Sequence, residues 1–139
     1  MRAYTRAMPR ECYCAVLRAA ARKMTAIYDA ALAPVGIGVA QYSLLRTIER
    51  RGPLSLTELG RITEHDRSTI GRNVRLLQRM GLVGAADATD RRESRIALTE
   101  AGRQTLARAE APWAEAQRSI EARLGGDAAA RLRDQLEAF

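Results

Sequence analysis

The side chains best suited to chemistry are arginines and short polar residues that share one face of a predicted helix. Between positions 67 and 80, apolar residues recur at helical spacing and predict an inward stripe of Ile70, Val74, Leu77 and Met80. Because the opposite face holds no Asp or Glu, it lacks the salt-bridge pattern of a solvated helix and suits phosphates and base edges instead. That face consists of Arg67, Ser68, Thr69, Arg72, Asn73, Arg75 and Arg79.

A second basic cluster lies in the polar segment between two short runs that resemble strands. Arg91, Arg92 and Arg95 crowd this segment, and Asp90 is close enough to orient one of them. An arginine at the tip of a β-hairpin fits the narrow, electronegative minor groove of DNA, and its neighbours can contact phosphates. An ordinary charged turn is the alternative interpretation.

Two cysteines near the start of the chain could carry redox chemistry. The start of a helix favours the thiolate, which is the form that peroxide attacks, and oxidation begins at sulfenic acid. In a continuous helix Cys12 and Cys14 would point about 200° apart, so pairing would need a frayed helix start or a bridge between subunits. Two alternatives stay open, namely small packed helix residues and a soft-metal site formed by the cysteines of two subunits.

Composition narrows the function class. The net charge of +7 and the pI near 10.4 are typical of a nucleic-acid-binding protein. No apolar run approaches a membrane span, so we expect no membrane partner and a cytoplasmic protein whose thiols stay reduced. His65 is the one histidine, which argues against His-based metal sites, and we expect no cofactor. No paired carboxylates or Ser-His-Asp arrangement is visible, so a thiol peroxidase-like enzyme is the enzymatic alternative.

The predicted elements follow the order helix, helix, short strand, helix, helix, hairpin, long helix, helix. Pro34 to Gly38 and Gly52-Pro53 separate the first helices, and Asp66 is the expected N-cap of the basic helix. Leu54 to Leu56 is expected as an edge strand, and Asp127 as the cap of the last helix. This order predicts a mostly α (α+β) fold, a winged helix-turn-helix, in one domain over residues 1–139.

Four stretches resemble the MarR family of transcription regulators. They are Leu56 to Gly60, Asp66 to Val83, Asp90-Arg91-Arg92 with Ile96 to Thr99, and Thr99 to Arg103. The resemblance implies a two-fold dimer, a palindromic operator in duplex DNA, and an effector site between the dimerisation and DNA-binding parts. It also implies that Arg92 enters the minor groove at the wing tip and that Asp90 anchors it.

The first helix resembles the branch of that family that senses organic hydroperoxides (the OhrR type). Cys14 stands at the position of the reactive thiol, Tyr28 and Tyr42 match two supporting aromatic positions, and Arg18 replaces a further tyrosine. The resemblance predicts a repressor released from DNA by oxidation of Cys14. Release by a small hydrophobic or phenolic ligand is the alternative trigger.

The sequence also predicts a homodimer independently of the resemblance. The first helix and the long helix after Thr99 carry more apolar surface than one small winged domain can bury, although burial within a single core is the alternative. We therefore expect residues of about 10–35 and 100–139 to form dimerisation helices, and residues of about 40–99 to form the DNA-binding winged helix. A winged-helix module that binds proteins instead of DNA would be neutral or acidic at these basic positions.

Overall fold

The computed structural model describes residues 12–86 and 94–139. Within these ranges the chain forms helices around a small antiparallel hairpin, which confirms the predicted winged helix-turn-helix. The elements are α1 (Tyr13–Leu32), α2 (Val39–Arg51), α3 (Leu56–Thr63), α4 (Arg67–Arg79), β1 (Val83–Ala85), β2 (Ile96–Leu98), α5 (Glu100–Leu124) and α6 (Gly126–Glu137), with a short 3₁₀ turn at Ala33–Val35.

Local side-chain caps set the starts of the helices in the DNA-binding part. Ser55 and Glu58 form a reciprocal capping box at α3, since each side chain bonds the backbone N–H of the other. Asp66 caps α4, as its position predicts. The expectation for Asp127 is wrong, because α6 already begins at Gly126 and Asp127 lies inside its first turn.

The core gathers apolar side chains from the helices and the hairpin. Ile70, Val74 and Leu77 of α4 are buried, as the stripe predicts, but Met80 is 40% exposed. The helix ends at Arg79, and the chain then turns through left-handed Gly81, so Met80 no longer continues the stripe. The large side chains buried almost completely are Leu32, Leu45, Ile48, Leu59, Ile70 and Leu77.

The two strands pair in antiparallel register, with Val83 opposite Leu98. The edge strand expected at Leu54 to Leu56 reduces to one β-bridge between Leu54 and Ile96, with N–O distances of 2.8 and 3.1 Å. Strand pairing stops there because Ser55 caps a helix that begins at the next residue.

One junction joins the end of α4 to the start of α5. The Thr99 hydroxyl donates to the Gly81 carbonyl (2.6 Å) and accepts from the Gly102 N–H (3.0 Å), and the Thr99 N–H donates to the Leu82 carbonyl (3.1 Å). Gly102 packs directly against the Leu82 backbone, where a Cβ would lie 2.0 Å from the carbonyl oxygen. The helix that follows is 25 residues long and contains Pro112.

Apolar side chains remain exposed on the terminal helices of a single chain. Val16 and Leu17 on α1 are 50% and 43% exposed, and Leu124 and Leu136 near the C-terminus are 39% and 43% exposed. These residues belong to the two regions in which the sequence shows more apolar surface than a winged domain can bury.

Candidate nucleic-acid interface

The outward face of α4 is basic and accessible. Ser68, Arg72 and Arg79 lie furthest from the buried stripe at 100° per residue, and all three are exposed. Arg67 and half-buried Asn73 flank the stripe on opposite edges. The face therefore presents arginines and a hydroxyl on a helix that fits the major groove of duplex DNA.

A cleft of about 700 Å³ runs beside α4, between this helix, α3 and β2. Arg61, Arg67 and Arg75 line it, and all three are exposed. Arg61 is the candidate that the sequence analysis missed. The sequence could have indicated Arg61, because it lies on the polar side of a short helix in which the neighbouring Leu59 and Ile62 face inward.

Glu58 is the acidic side chain among the residues that line this cleft. Its carboxylate accepts from the Ser55 backbone N–H (2.9 Å), and this bond is the main reason that its pKa lies below the usual value. The positive charges of Arg95 and Arg61 lower the pKa further. Glu58 thus stays ionised and caps the start of α3 while it faces the base of the β1–β2 hairpin, which is the wing.

Asp66 gathers three hydrogen bonds at the start of α4. Its carboxylate accepts from the hydroxyl groups of Ser68 and Thr69 (2.5 Å for Thr69) and from the Thr69 backbone N–H (3.3 Å). These bonds, first the one from Ser68, lower the pKa of Asp66 to about 2. The carboxylate is therefore ionised at neutral pH, within the basic face.

The wing is described only at its base. Arg95 is exposed, and its carbonyl accepts from the Ala86 N–H (2.9 Å), which holds the two sides of the hairpin together. The predicted tip residues Asp90, Arg91 and Arg92 lie outside the described residues.

A separate aromatic stack joins α1, α2 and α5. The Trp113 ring stacks with the rings of Tyr28 (6.4 Å between centroids) and Tyr42 (5.4 Å), nearly parallel to both. The Arg46 guanidinium sits 4.8 Å from the centre of the Trp113 ring and donates to the Tyr42 hydroxyl (2.8 Å). The stack brings together the two tyrosines that the sequence analysis selected.

Polar contacts continue this stack into the C-terminal helices. The Tyr28 hydroxyl donates to the Gln117 side chain, and Glu121 accepts from both Gln117 (3.5 Å) and Arg133 of α6 (3.4 Å). Burial and, secondly, the charge of Glu121 raise the pKa of Tyr28, while Arg133 lowers it. Tyr28 is thus held as a neutral hydrogen-bond donor.

The raised pKa of Tyr28 predicts a loss of stability at alkaline pH. Its contribution is complete below the ordinary value of 10.0 and is lost as the pH rises through the higher folded value. Urea unfolding at a series of pH values should therefore show a steeper alkaline loss for the wild type than for Tyr28→Phe. Tyr13→Phe is the matched control, because Tyr13 is 86% exposed. Equal alkaline slopes for the wild type and Tyr28→Phe would contradict the assignment.

The cysteines lie apart from the aromatic stack within one chain. Cys14 is in the first turn of α1 and is exposed, as is Cys12, the extended residue that precedes the helix. Tyr28 follows Cys14 by fourteen residues on the same helix, a separation of about 21 Å along its axis. The structure therefore brings Tyr28 and Tyr42 together but does not bring Cys14 to them in the same chain.

No group of three or more His, Cys, Asp and Glu side chains in residues 12–86 and 94–139 is arranged to hold a metal ion. Within the same ranges, none of the helices combines the length and the apolar character that a membrane crossing requires.

Comparisons with known proteins agree with this geometry. The MarR family profile matches residues 35–93. A structure of the M. tuberculosis transcriptional regulator MosR is 32% identical and covers 94% of this chain and 98% of its own (TM-score 0.75). A second MosR structure, in complex with DNA, is 34% identical, with coverages of 92% and 98% and a TM-score of 0.75.

Two further structures have the same fold. A probable transcriptional regulator from Pseudomonas aeruginosa is 28% identical, with coverages of 92% and 96% and a TM-score of 0.83. A mutant of MarR from E. coli, complexed with operator DNA, is 20% identical, with coverages of 90% and 91% and a TM-score of 0.82, which shows the fold alone. Comparison with curated proteins gives no match.

The fold and the basic face define a winged-helix DNA-binding transcription regulator rather than an enzyme. The chain belongs to the MarR family.

Proposed function

We propose that the protein is a homodimeric repressor that binds a palindromic operator and is released by oxidation of Cys14. The DNA-binding part of this proposal rests on the exposed basic face of α4, which lies beside a cleft lined by further arginines. The contacts are assigned to α4 and the wing. These residues are Arg67, Ser68, Thr69, Arg72, Asn73, Arg75, Asp90, Arg91, Arg92 and Arg95.

The homodimer is supported by the apolar side chains that one chain leaves exposed. Val16, Leu17, Leu124 and Leu136 lie on helices at the two ends of the chain. Pairing of two copies would remove this surface from water, a favourable change of roughly 25 cal/mol per Å². We therefore assign dimerisation to residues 10–35 and 100–139 and DNA binding to residues 40–99.

The geometry at the start of α1 supports an oxidation switch. Cys14 is exposed in a turn that carries no acidic side chain. Cys12 precedes the helix in an extended conformation, so its direction relative to Cys14 is not set by the 100° helical repeat. We assign to Cys12 the role of the second thiol.

The chemistry needs only an organic hydroperoxide as oxidant. The Cys14 thiolate attacks the peroxide O–O bond and takes one oxygen, and the other oxygen leaves as an alcohol after protonation. The resulting sulfenic acid then reacts with a second thiol, from Cys12 or a small-molecule thiol, to form a disulfide and water. The new bond would rearrange the start of α1, a helix assigned to the dimer.

The region of the aromatic stack leaves little room for a hydrophobic ligand, the alternative trigger. The aromatic stack occupies the space between α1, α2 and α5 with the chain's own side chains. The cavity beside it is about 190 Å³ and is lined partly by charged Arg46, Glu49, Arg50 and Glu110. Drug-sized ligand sites are larger, roughly 300 Å³ or more, and mostly apolar.

Operator binding with and without an organic hydroperoxide tests the proposal. The probe is duplex DNA from upstream of the protein's own coding region, bound by the wild type, Cys14→Ser and Cys12→Ser. We expect peroxide to abolish binding by the wild type and to leave Cys14→Ser bound, and a reductant to restore the wild type. Equal binding in all samples would remove the oxidation switch and keep the DNA-binding assignment. Transcription from the same DNA should fall when the protein is added, since an increase would contradict repression.

A further inference from the structure

The hydrogen-bond directions at the start of α4 restrict what this helix can recognise. An ionised carboxylate only accepts hydrogen bonds, and a hydroxyl carries a single hydrogen. Because Ser68 and Thr69 both direct their hydroxyl hydrogens to Asp66, neither can donate to another group. The side chains of Asp66 and Ser68, which we call the acceptor corner, therefore offer only acceptors to a partner.

Thr69 links the acceptor corner to the neighbouring arginine. Its oxygen accepts from an Arg72 guanidinium nitrogen (3.5 Å) while its hydrogen goes to Asp66. Arg72 is thereby placed next to the corner, and the rest of its guanidinium stays available as a donor. The exposed start of α4 thus presents a donor group and an acceptor group side by side.

Base edges in the major groove differ in this respect. The exocyclic amino groups of adenine (N6) and cytosine (N4) are donors, whereas guanine O6 and N7 and thymine O4 are acceptors. A surface that only accepts hydrogen bonds can pair with the amino groups of adenine and cytosine. It leaves the acceptor atoms of guanine and thymine without a partner. A guanidinium suits the opposite set, guanine above all.

We propose that Asp66 is a positioning residue for base recognition, which fixes the Ser68 hydroxyl as an acceptor so that the corner selects an adenine or cytosine amino group beside the base contacted by Arg72. The proposal rests on the assignment of α4 as the DNA-contacting helix. It adds to that assignment a role for a carboxylate that would otherwise be only a helix cap. The carboxylate also repels phosphates, which opposes binding of α4 in positions where the corner meets no amino group.

Selection of bound duplexes from a randomised library is the first test, with the full chain as wild type, Ser68→Ala, Asp66→Ser and Arg72→Ala. Serine is itself a good N-cap, so Asp66→Ser keeps the helix start while it removes the carboxylate. We expect the wild type to prefer adenine or cytosine at one position per half-site. Ser68→Ala and Asp66→Ser should both lose that preference and keep the others. Asp66→Ser should also bind unrelated DNA at least as tightly as the wild type, an effect that a lost cap would not produce.

Base analogues give the second measurement. Replacing the selected base by its counterpart without the amino group should weaken wild-type binding about fivefold, the effect of one hydrogen bond. The same replacement should have no effect on Ser68→Ala or Asp66→Ser. The inference is overturned if Asp66→Ser keeps the wild-type preferences, or if the Ser68-dependent position prefers guanine or thymine. If Arg72→Ala also binds like the wild type, the assignment of α4 fails as well; if only Arg72→Ala is impaired, the assignment stands and the role of Asp66 does not.

Discussion

Replacing Gly102 with alanine is expected to lower the free energy of unfolding by about 3 kcal/mol or more. The new Cβ would lie 2.0 Å from the Leu82 carbonyl oxygen and 3.0 Å from its carbonyl carbon. These are backbone atoms, so no side-chain rotation can relieve the clash. The start of α5 must then move away from the entry to β1, which breaks the Thr99 hydrogen bonds at this junction. Urea unfolding followed by circular dichroism measures the change.

Gly126→Ala is the matched control for this prediction. Gly126 is the first residue of α6, and a Cβ there would meet nothing within 4 Å. Alanine favours a helix relative to glycine, so this variant should unfold at the same urea concentration as the wild type or a higher one. Both variants are compared at one protein concentration, because the proposed dimerisation would couple stability to concentration. If Gly102→Ala unfolded at the same urea concentration as the wild type, the junction would accommodate the added Cβ without a loss of stability, which would contradict the prediction.

Arg72→Ala is expected to weaken operator binding about tenfold or more, the loss that follows from a single good DNA contact. Arg72 lies on the outermost line of α4, is exposed, and is held by Thr69 within the basic face. In a two-fold dimer the substitution removes the contact from both half-sites. Fluorescence anisotropy with labelled operator measures the loss.

The salt dependence of binding tests whether Arg72 contacts a base, as proposed above, or a phosphate. If it contacts a phosphate in each half-site, the slope of log affinity against log salt should decrease by about 0.9 per lost contact. If it contacts a base, the slope should change little and the preference at one position should relax. Arg108→Ala, which removes an exposed arginine from α5, is the control of equal charge and should bind like the wild type. Equal affinities of Arg72→Ala and the wild type for the operator would contradict the assignment of α4 as the DNA-contacting helix.

The sequence was sufficient for the parts of the fold that depend on local signals. The apolar stripe of Ile70, Val74 and Leu77, with Asp66 before it, predicted α4 and its buried face correctly. The same holds for the helix that begins after Thr99. In each case the signal lies within a few residues, because helical periodicity and side-chain caps act over one or two turns.

Features that depend on distant partners were not predictable in this way. Tyr28, Tyr42 and Trp113 are far apart in the chain, and their stacking depends on how α1, α2 and α5 pack. Sequence analysis selected both tyrosines as partners of Cys14 and did not connect them with Trp113. The direction of the hydrogen bonds at the start of α4 was also not predictable from the sequence. Serine and threonine at these positions suggest hydrogen-bond donors, and only the contacts with Asp66 show that both hydroxyl hydrogens point to the carboxylate.

Pro112 gives the long helix α5 a point at which it can bend. Pro112 has no N–H for the Arg108 carbonyl, so the helix bends more easily there than elsewhere. From Pro112 the arm runs about 20 Å to Thr99, where it is bonded to the end of α4. A bend of about 10° at the proline would swing that end by about 3 Å, close to the rise of one base pair. In the proposed dimer on two operator half-sites, a base pair inserted between the half-sites would therefore favour one bend angle of α5 over another.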